Sequence, residues 1–251
     1  MDLKKYAWEL RLSLILIALS AVIFAVKLLL LGDSGESNTF SYIFNALGFL
    51  PLNVLFVTLL LNTLLSRRAK KAQQEKMKMV VGLFFSELGT TLLRMFVHSD
   101  SDASRLSSIL SVDKSWSPKE YQQAQNELSS YHGKLSMNGD GLQEICVLLN
   151  EKHDFLLRLV ENPVFLEGER TADLMQAVFH LSEELSDRSD FASLPKADIA
   201  HLNGDVRRVY LWLLKVWLSH MEYLSQKYPY LLSLSLRKSP FDEHWDVVVR
   251  E

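Results

Sequence analysis

The sequence predicts an all-α chain, two transmembrane helices followed by a soluble multi-helix domain, and three observations lead there. Two long apolar runs lie before residue 71, and none of comparable length follows. Ten Gly and six Pro in 251 residues leave little turn chemistry for a many-stranded sheet. Charge divides at the same place: residues 1–71 carry eight Lys/Arg against four Asp/Glu, and the remainder nineteen against twenty-six. Residues 1–71 therefore read as a membrane anchor with net charge +4, and 72–251 as a cytoplasmic helical domain with net charge −7.

The first span covers about residues 12–31, twenty residues in which Lys27 is the only charge. At 1.5 Å per residue it measures roughly 30 Å, the thickness of a bilayer's hydrocarbon core. Lys27 lies one turn from the outer end, where its ammonium snorkels to the headgroups. The second span covers about 42–65 and holds Asn45, Asn53, Thr58 and Asn62, with Pro51 inside it to bend or break it. Lys4, Lys5 and Arg11 precede the first span, and Arg67, Arg68, Lys70 and Lys71 follow the second. The loop 32–41 between them has Asp33 and Glu36 but no Lys or Arg, so it lies outside and both flanks lie in the cytoplasm. A cleaved signal peptide fits less well, because the apolar run is too long and no A-x-A site follows it. The asparagines and Gly48 supply helix–helix contacts in lipid, so a weak homo-oligomer through the membrane helices is expected.

Beyond the basic cluster, apolar residues from Met77 to Phe96 recur every three to four positions. The stripe is wider than a coiled-coil seam, which favours burial within the domain. No Pro lies between Leu52 and Val97, so one helix of about 84 Å runs from Tyr42 to Val97 if nothing interrupts it. Residues 99–117 contain eight serines and read as a linker in which Leu106, Ile109 and Leu110 could dock a short turn. Ser117-Pro118-Lys119-Glu120 has the pattern of a capping box with Pro at the first helical position. That helix runs to about Tyr131 and stops at His132-Gly133. Asp140 is expected to cap a helix from about Leu142 to Glu161, which Asn162-Pro163 ends. Thr171 caps the next, and a short segment near 196–202 precedes the most apolar helix, Val206 to Tyr228. Pro229 breaks or restarts that helix, and a strand-like tail, Trp245 to Val249, closes the sequence.

The phrases Phe84-Phe85-Ser86-Glu87-Leu88-Gly89-Thr90, Glu161-Asn162-Pro163, Tyr228-Pro229-Tyr230-Leu231 and Ser239-Pro240-Phe241-Asp242 resemble a prokaryotic family of two-span membrane proteins. The similarity covers essentially the whole length, from two apolar runs to an acidic helical domain. It implies a bacterial or archaeal plasma membrane and transfers no activity and no site residue.

Chemistry is sparse. The doublet His153-Asp154 suits a metal-dependent phosphohydrolase, in which imidazole and carboxylate hold a water-activating metal. Seven His and fourteen Asp give roughly 0.4 such doublets by chance, however. Helical spacing also places Asp154 opposite Arg158 as an i,i+4 pair. His180 falls on a polar face with Asp173, Gln176 and Glu184, whereas Asp198 and His201 share a helical face. His220 lies on the apolar side with Leu213, Trp217 and Leu224, as a core histidine does. Cys146 sits among Ile145, Val147, Leu148 and Leu149, which makes it an inert thiol. One Cys excludes an intrachain disulfide framework and a four-Cys zinc site. The acidic balance excludes general nucleic-acid binding, and no phosphate loop or dinucleotide glycine pattern calls for a cofactor.

The expected function is therefore non-enzymatic: a membrane-tethered protein-interaction or signalling adaptor, whose partners are the lipid bilayer and another protein. The alternatives are a metal-dependent hydrolase built on His153, Asp154, His180 and His201, and a subunit of a small oligomeric channel or transporter resting on Pro51 and the membrane asparagines.

Overall fold

The computed structural model describes residues 3–31, 38–166, 168–242 and 245–248. Among the described residues it is helical, with no named strand and one isolated bridge, Asp100 to Leu135. The chain divides into two units, 1–72 and 73–251.

The first unit is a pair of helices, α1 (Leu3–Leu31) and the opening part of α2 (Asn38–Phe84). Both are long and apolar enough to cross a membrane. Their apolar side chains are largely exposed, Leu29 at 84% and Phe56 at 68%. The two helices meet where the backbones come close. Ser20 Oγ donates to the Gly48 carbonyl at 2.5 Å, and a Cβ on Gly48 would sit 2.7 Å from the Phe24 ring. Phe24 and Phe49 pack edge to face beside them. Lys27 differs from the snorkelling expectation, because its Nζ donates to Asn45 Oδ1 at 2.8 Å and so ties α1 to α2. Pro51 lies inside α2 without ending it. The outer loop read over 32–41 lies outside the described residues up to 37, and from Asn38 the chain is already helical.

The second unit is built around α10 (Lys196–Lys227), which buries residues on most of its circumference. Against it pack α3 (Thr90–His98), α5 (Pro118–Ser129), α9 (Glu169–Ser186) and α11 (Pro229–Arg237). The stripe after the basic cluster is buried within this unit: Val81, Phe84, Phe85, Leu88, Leu92 and Phe96 are all close to fully covered. Each such side chain contributes about 1.5–3 kcal/mol of transfer free energy. The helix is interrupted within that stripe by a π-helical turn, Phe85–Gly89. Thr90 Oγ1 caps the turn internally by donating to the Phe85 carbonyl at 2.8 Å.

Several local expectations are corrected by packing. The Ser-rich segment 99–117 is docked and not a free linker: Leu106, Ile109 and Leu110 are buried around α4 (Ala103–Ile109). Asp100 anchors its start, accepting from the Tyr131 hydroxyl and from the backbone N–H groups of Asp102 and Lys134. The capping box at Ser117 and Glu120 forms as its spacing predicts. Asn138, and not Asp140, caps α6 (Gly139–Glu151), its Oδ1 accepting from Gly141 N–H at 3.0 Å. The helix expected from 142 to 161 is broken at Lys152, where the backbone leaves helical geometry before α7 (His153–Glu161). Asn162 then turns the chain, its side chain accepting from Val164 N–H, into the one-turn α8 (Pro163–Leu166). Gly168 caps α9, and Thr171 sits a turn inside with its hydroxyl donating to the Phe165 and Gly168 carbonyls. α10 begins at Lys196 and is continuous through Gly204, and Asn203 ties its early turns to the loop that precedes α6. Asn203 exchanges hydrogen bonds with both backbone groups of Met137 and also donates to the Ile199 carbonyl. The tail residues 245–248 form no strand.

Candidate functional site

The histidines of the hydrolase alternative fall in two places on the second unit. His153 and Asp154 open α7, on the face that α6, α7 and α9 turn outward. His180 on α9 and His201 on α10 meet across the α9–α10 contact.

The α9–α10 meeting point is an ion-pair network. Asp205 is its centre, its side chain only 4% exposed. Arg208 donates to Asp205 Oδ1 at 2.6 Å, and His180 Nε2 stands 3.6 Å from the same oxygen. Asp205 Oδ2 makes no hydrogen bond and has His201 Nε2 at 3.5 Å, while His201 Nε2 is also 3.6 Å from Glu184 Oε2. Arg188 closes the other side, donating to both carboxylate oxygens of Asp198 at 2.7 Å and to Glu184 Oε2 at 2.9 Å. This bidentate fork is the strong form of an Arg–carboxylate pair. It holds Glu184 and Asp198 below the ordinary carboxylate range and raises Arg188 above its own. The carboxylates that could face a metal are thus already held by guanidinium groups. Among the described residues no group of three or more His, Cys, Asp or Glu is arranged to hold a metal ion. The four residues of the hydrolase alternative are not brought to one centre.

The outward face of α6 and α7 is built differently. One groove of about 720 Å³ is lined by Asn150, Glu151, His153, Asp154, Leu157, Phe179 and Glu183, among others. A second, of about 400 Å³, shares Glu151 with it and adds Asp140, Glu144, Val147 and Leu148. Two exposed apolar side chains, Val147 at 52% and Leu157 at 44%, thus stand among five carboxylates. The expected Asp154–Arg158 pair is not formed among the described residues, which leaves the Asp154 carboxylate facing the groove. Lys152 turns the other way, to Glu87 at 3.0 Å.

Cys146 is half-buried, and burial pushes its thiol above the ordinary range, away from nucleophile chemistry. The topology residues Lys4, Lys5 and Arg11 lie in α1, and Arg67, Arg68, Lys70 and Lys71 in α2. Asp205 and Asp100, the two buried carboxylates among the described residues, were not singled out in the sequence. Their only signal was an acidic residue inside an otherwise apolar helical stretch for Asp205, and a place in a serine-rich run for Asp100.

Comparison with known proteins covers most of the chain. Residues 73–237 match a family model described as the C-terminal helical domain of uncharacterized protein MJ1433. Residues 4–65 match one described as the N-terminal helical domain of MJ1433. Uncharacterized protein MJ1433 of Methanocaldococcus jannaschii is 36% identical over 240 residues, covering 96% of this chain and 95% of the relative. No solved structure matches the chain.

Proposed function

The chain belongs to the MJ1433 family, with its N- and C-terminal helical domains, and from that premise we propose that it is a membrane-tethered adaptor that captures a basic, apolar protein segment. In this reading α1 and the first part of α2 span a prokaryotic plasma membrane, with the basic flanks and the helical domain on the cytoplasmic side. Support for the tether is the exposed apolar surface of both helices, which water would not tolerate over such a length. Support for that orientation is the clustering of Arg67, Arg68, Lys70 and Lys71 after the second span.

The observation that carries the adaptor reading is the α6–α7 face. Its two grooves present Val147, Leu148, Leu157 and Phe179 for apolar contact and Asp140, Glu144, Glu151, Asp154 and Glu183 for charge. A helix or extended segment with Lys/Arg beside apolar anchors complements both, the charges setting encounter and orientation and the apolar anchors setting residence time. A photocrosslinking amino acid at Val147 or Leu157, in the full chain in its native membranes, is expected to give the same single protein adduct. The adduct is expected to be absent at the exposed Ser193 and reduced in Glu151→Lys/Asp154→Lys. Adducts that are equal at all three positions, or unmoved by charge reversal, contradict the proposal.

A further inference from the structure

We infer that a second copy of this chain docks along the face of α2 centred on Asn53. The inference rests on the reading that α1 and α2 span the bilayer. Three asparagines lie in the second apolar run. Asn45 accepts from Lys27 and is satisfied within the unit. Asn62 lies one turn from the cytoplasmic end of the run, within reach of interfacial water. Asn53 has neither remedy. It lies eleven residues from Tyr42 and twelve from Leu65, about 17 Å and about 18 Å from the two ends, at the bilayer midplane. Its side chain is exposed, and among the described residues it has no hydrogen-bond partner.

An amide left bare in hydrocarbon is costly, because no water is present to take the place of a partner. The side of α2 that meets α1 is marked by the buried Gly48 and Pro51, and Asn53 lies on the other side. Around it Ala46, Leu50, Val57, Leu60 and Leu64 are also exposed, at spacings of four and three residues. That is the period of a helix–helix seam, and Asn53 occupies its middle. Every face of a membrane helix is apolar, so the leucines alone name no partner; the amide does. Two copies inserted with one topology are parallel, and Asn53 of one then lies at the depth of Asn53 in the other. A carboxamide is both donor and acceptor, so the pair is self-complementary. The next two seam positions are Arg67 and Lys71, whose like charges end the contact at Leu64, where the headgroups begin.

The test is cysteine crosslinking of the full chain in membranes, in a Cys146→Ser background with Asn53 kept. Val57→Cys and Leu60→Cys lie on the seam, and Leu59→Cys lies at the same depth on another face. Homodimer crosslinks are expected at Val57→Cys and Leu60→Cys and not at Leu59→Cys. Adding Asn53→Leu is expected to weaken dimer formation by roughly five- to thirty-fold, and Asn53→Gln to preserve it. Equal crosslinking at all three positions, none at any, or no response to Asn53→Leu would overturn the seam. Alkaline carbonate extraction of the same samples separates the two readings. A chain released from the membrane refutes the spanning helices, whereas one retained without face-selective crosslinks refutes only the second copy.

Discussion

His220 stays uncharged in the folded chain down to about pH 4, because burial among apolar neighbours disfavours the imidazolium. Its ring stacks on Phe85 at 5.6 Å, its Nδ1 has no partner, and Gly82 leaves just enough room for its edge. An unfolded histidine titrates near 6.5, so between pH 6.5 and about 4 the unfolded chain binds a proton that the folded chain refuses. Stability is therefore full above pH 6.5 and falls as the pH drops toward 4, by about 3 kcal/mol in all for this one group. Denaturation of the full chain in detergent at pH 7, 5 and 4 is expected to show this slope, and His220→Gln to flatten it. A variant with an unchanged slope would show that the proton goes elsewhere. The position of His220 on an apolar helix face was readable from spacing, and the structure places it in the core. Asp205 and Asp100 were not readable, because what makes them special is burial by distant parts of the chain. Asp205 depends on His180 from another helix, and Asp100 on Tyr131 thirty-one residues away.

Two glycines separate what a helix wants from what its packing allows. Gly204 lies inside α10, exposed, with nothing within 4 Å of where a Cβ would be. Gly204→Ala is expected to stabilise the chain by about 0.5–1 kcal/mol, through helix propensity and a less flexible unfolded state. Gly89 ends the π-helical turn, where a Cβ would sit 2.7 Å from both the Phe84 and Phe85 rings, themselves buried. Gly89→Ala is expected to destabilise by about 1–3 kcal/mol, the range for overpacking a filled core. Parallel denaturation curves of the two variants decide, and the same sign for both would contradict the argument. Helices were legible because apolar residues recur along them, as from Met77 to Phe96. Their joints were less so. Asn138 displaces Asp140 as a cap because its side chain reaches Gly141 N–H, and α10 runs unbroken from Lys196 with Asn203 tied to Met137 in a loop far away in sequence. Neither follows from propensity. The π-helical turn has no sequence signature beyond the unusual run Phe84-Phe85 followed by Gly89.

On the scale of the whole molecule, composition spoke most clearly. The charge break at residue 71 and the structural division after residue 72 nearly coincide, and the two family matches, 4–65 and 73–237, fall on either side. The α6–α7 face was not legible, because it joins residues of three helices whose pairing periodicity does not determine. An adaptor of the kind proposed needs its acidic, groove-bearing domain on the same side of the membrane as the basic flanks, or the face never meets a cytoplasmic partner. Membrane-impermeant thiol labelling of intact cells tests that arrangement most directly, using single cysteines at Ser37 and Ser193 in a Cys146→Ser chain. Labelling of Ser37→Cys in intact cells, with Ser193→Cys reactive only after lysis, is the predicted result. Labelling of Ser193→Cys from outside, or protection of both until lysis, would contradict the two-span tether and the cytoplasmic domain with it.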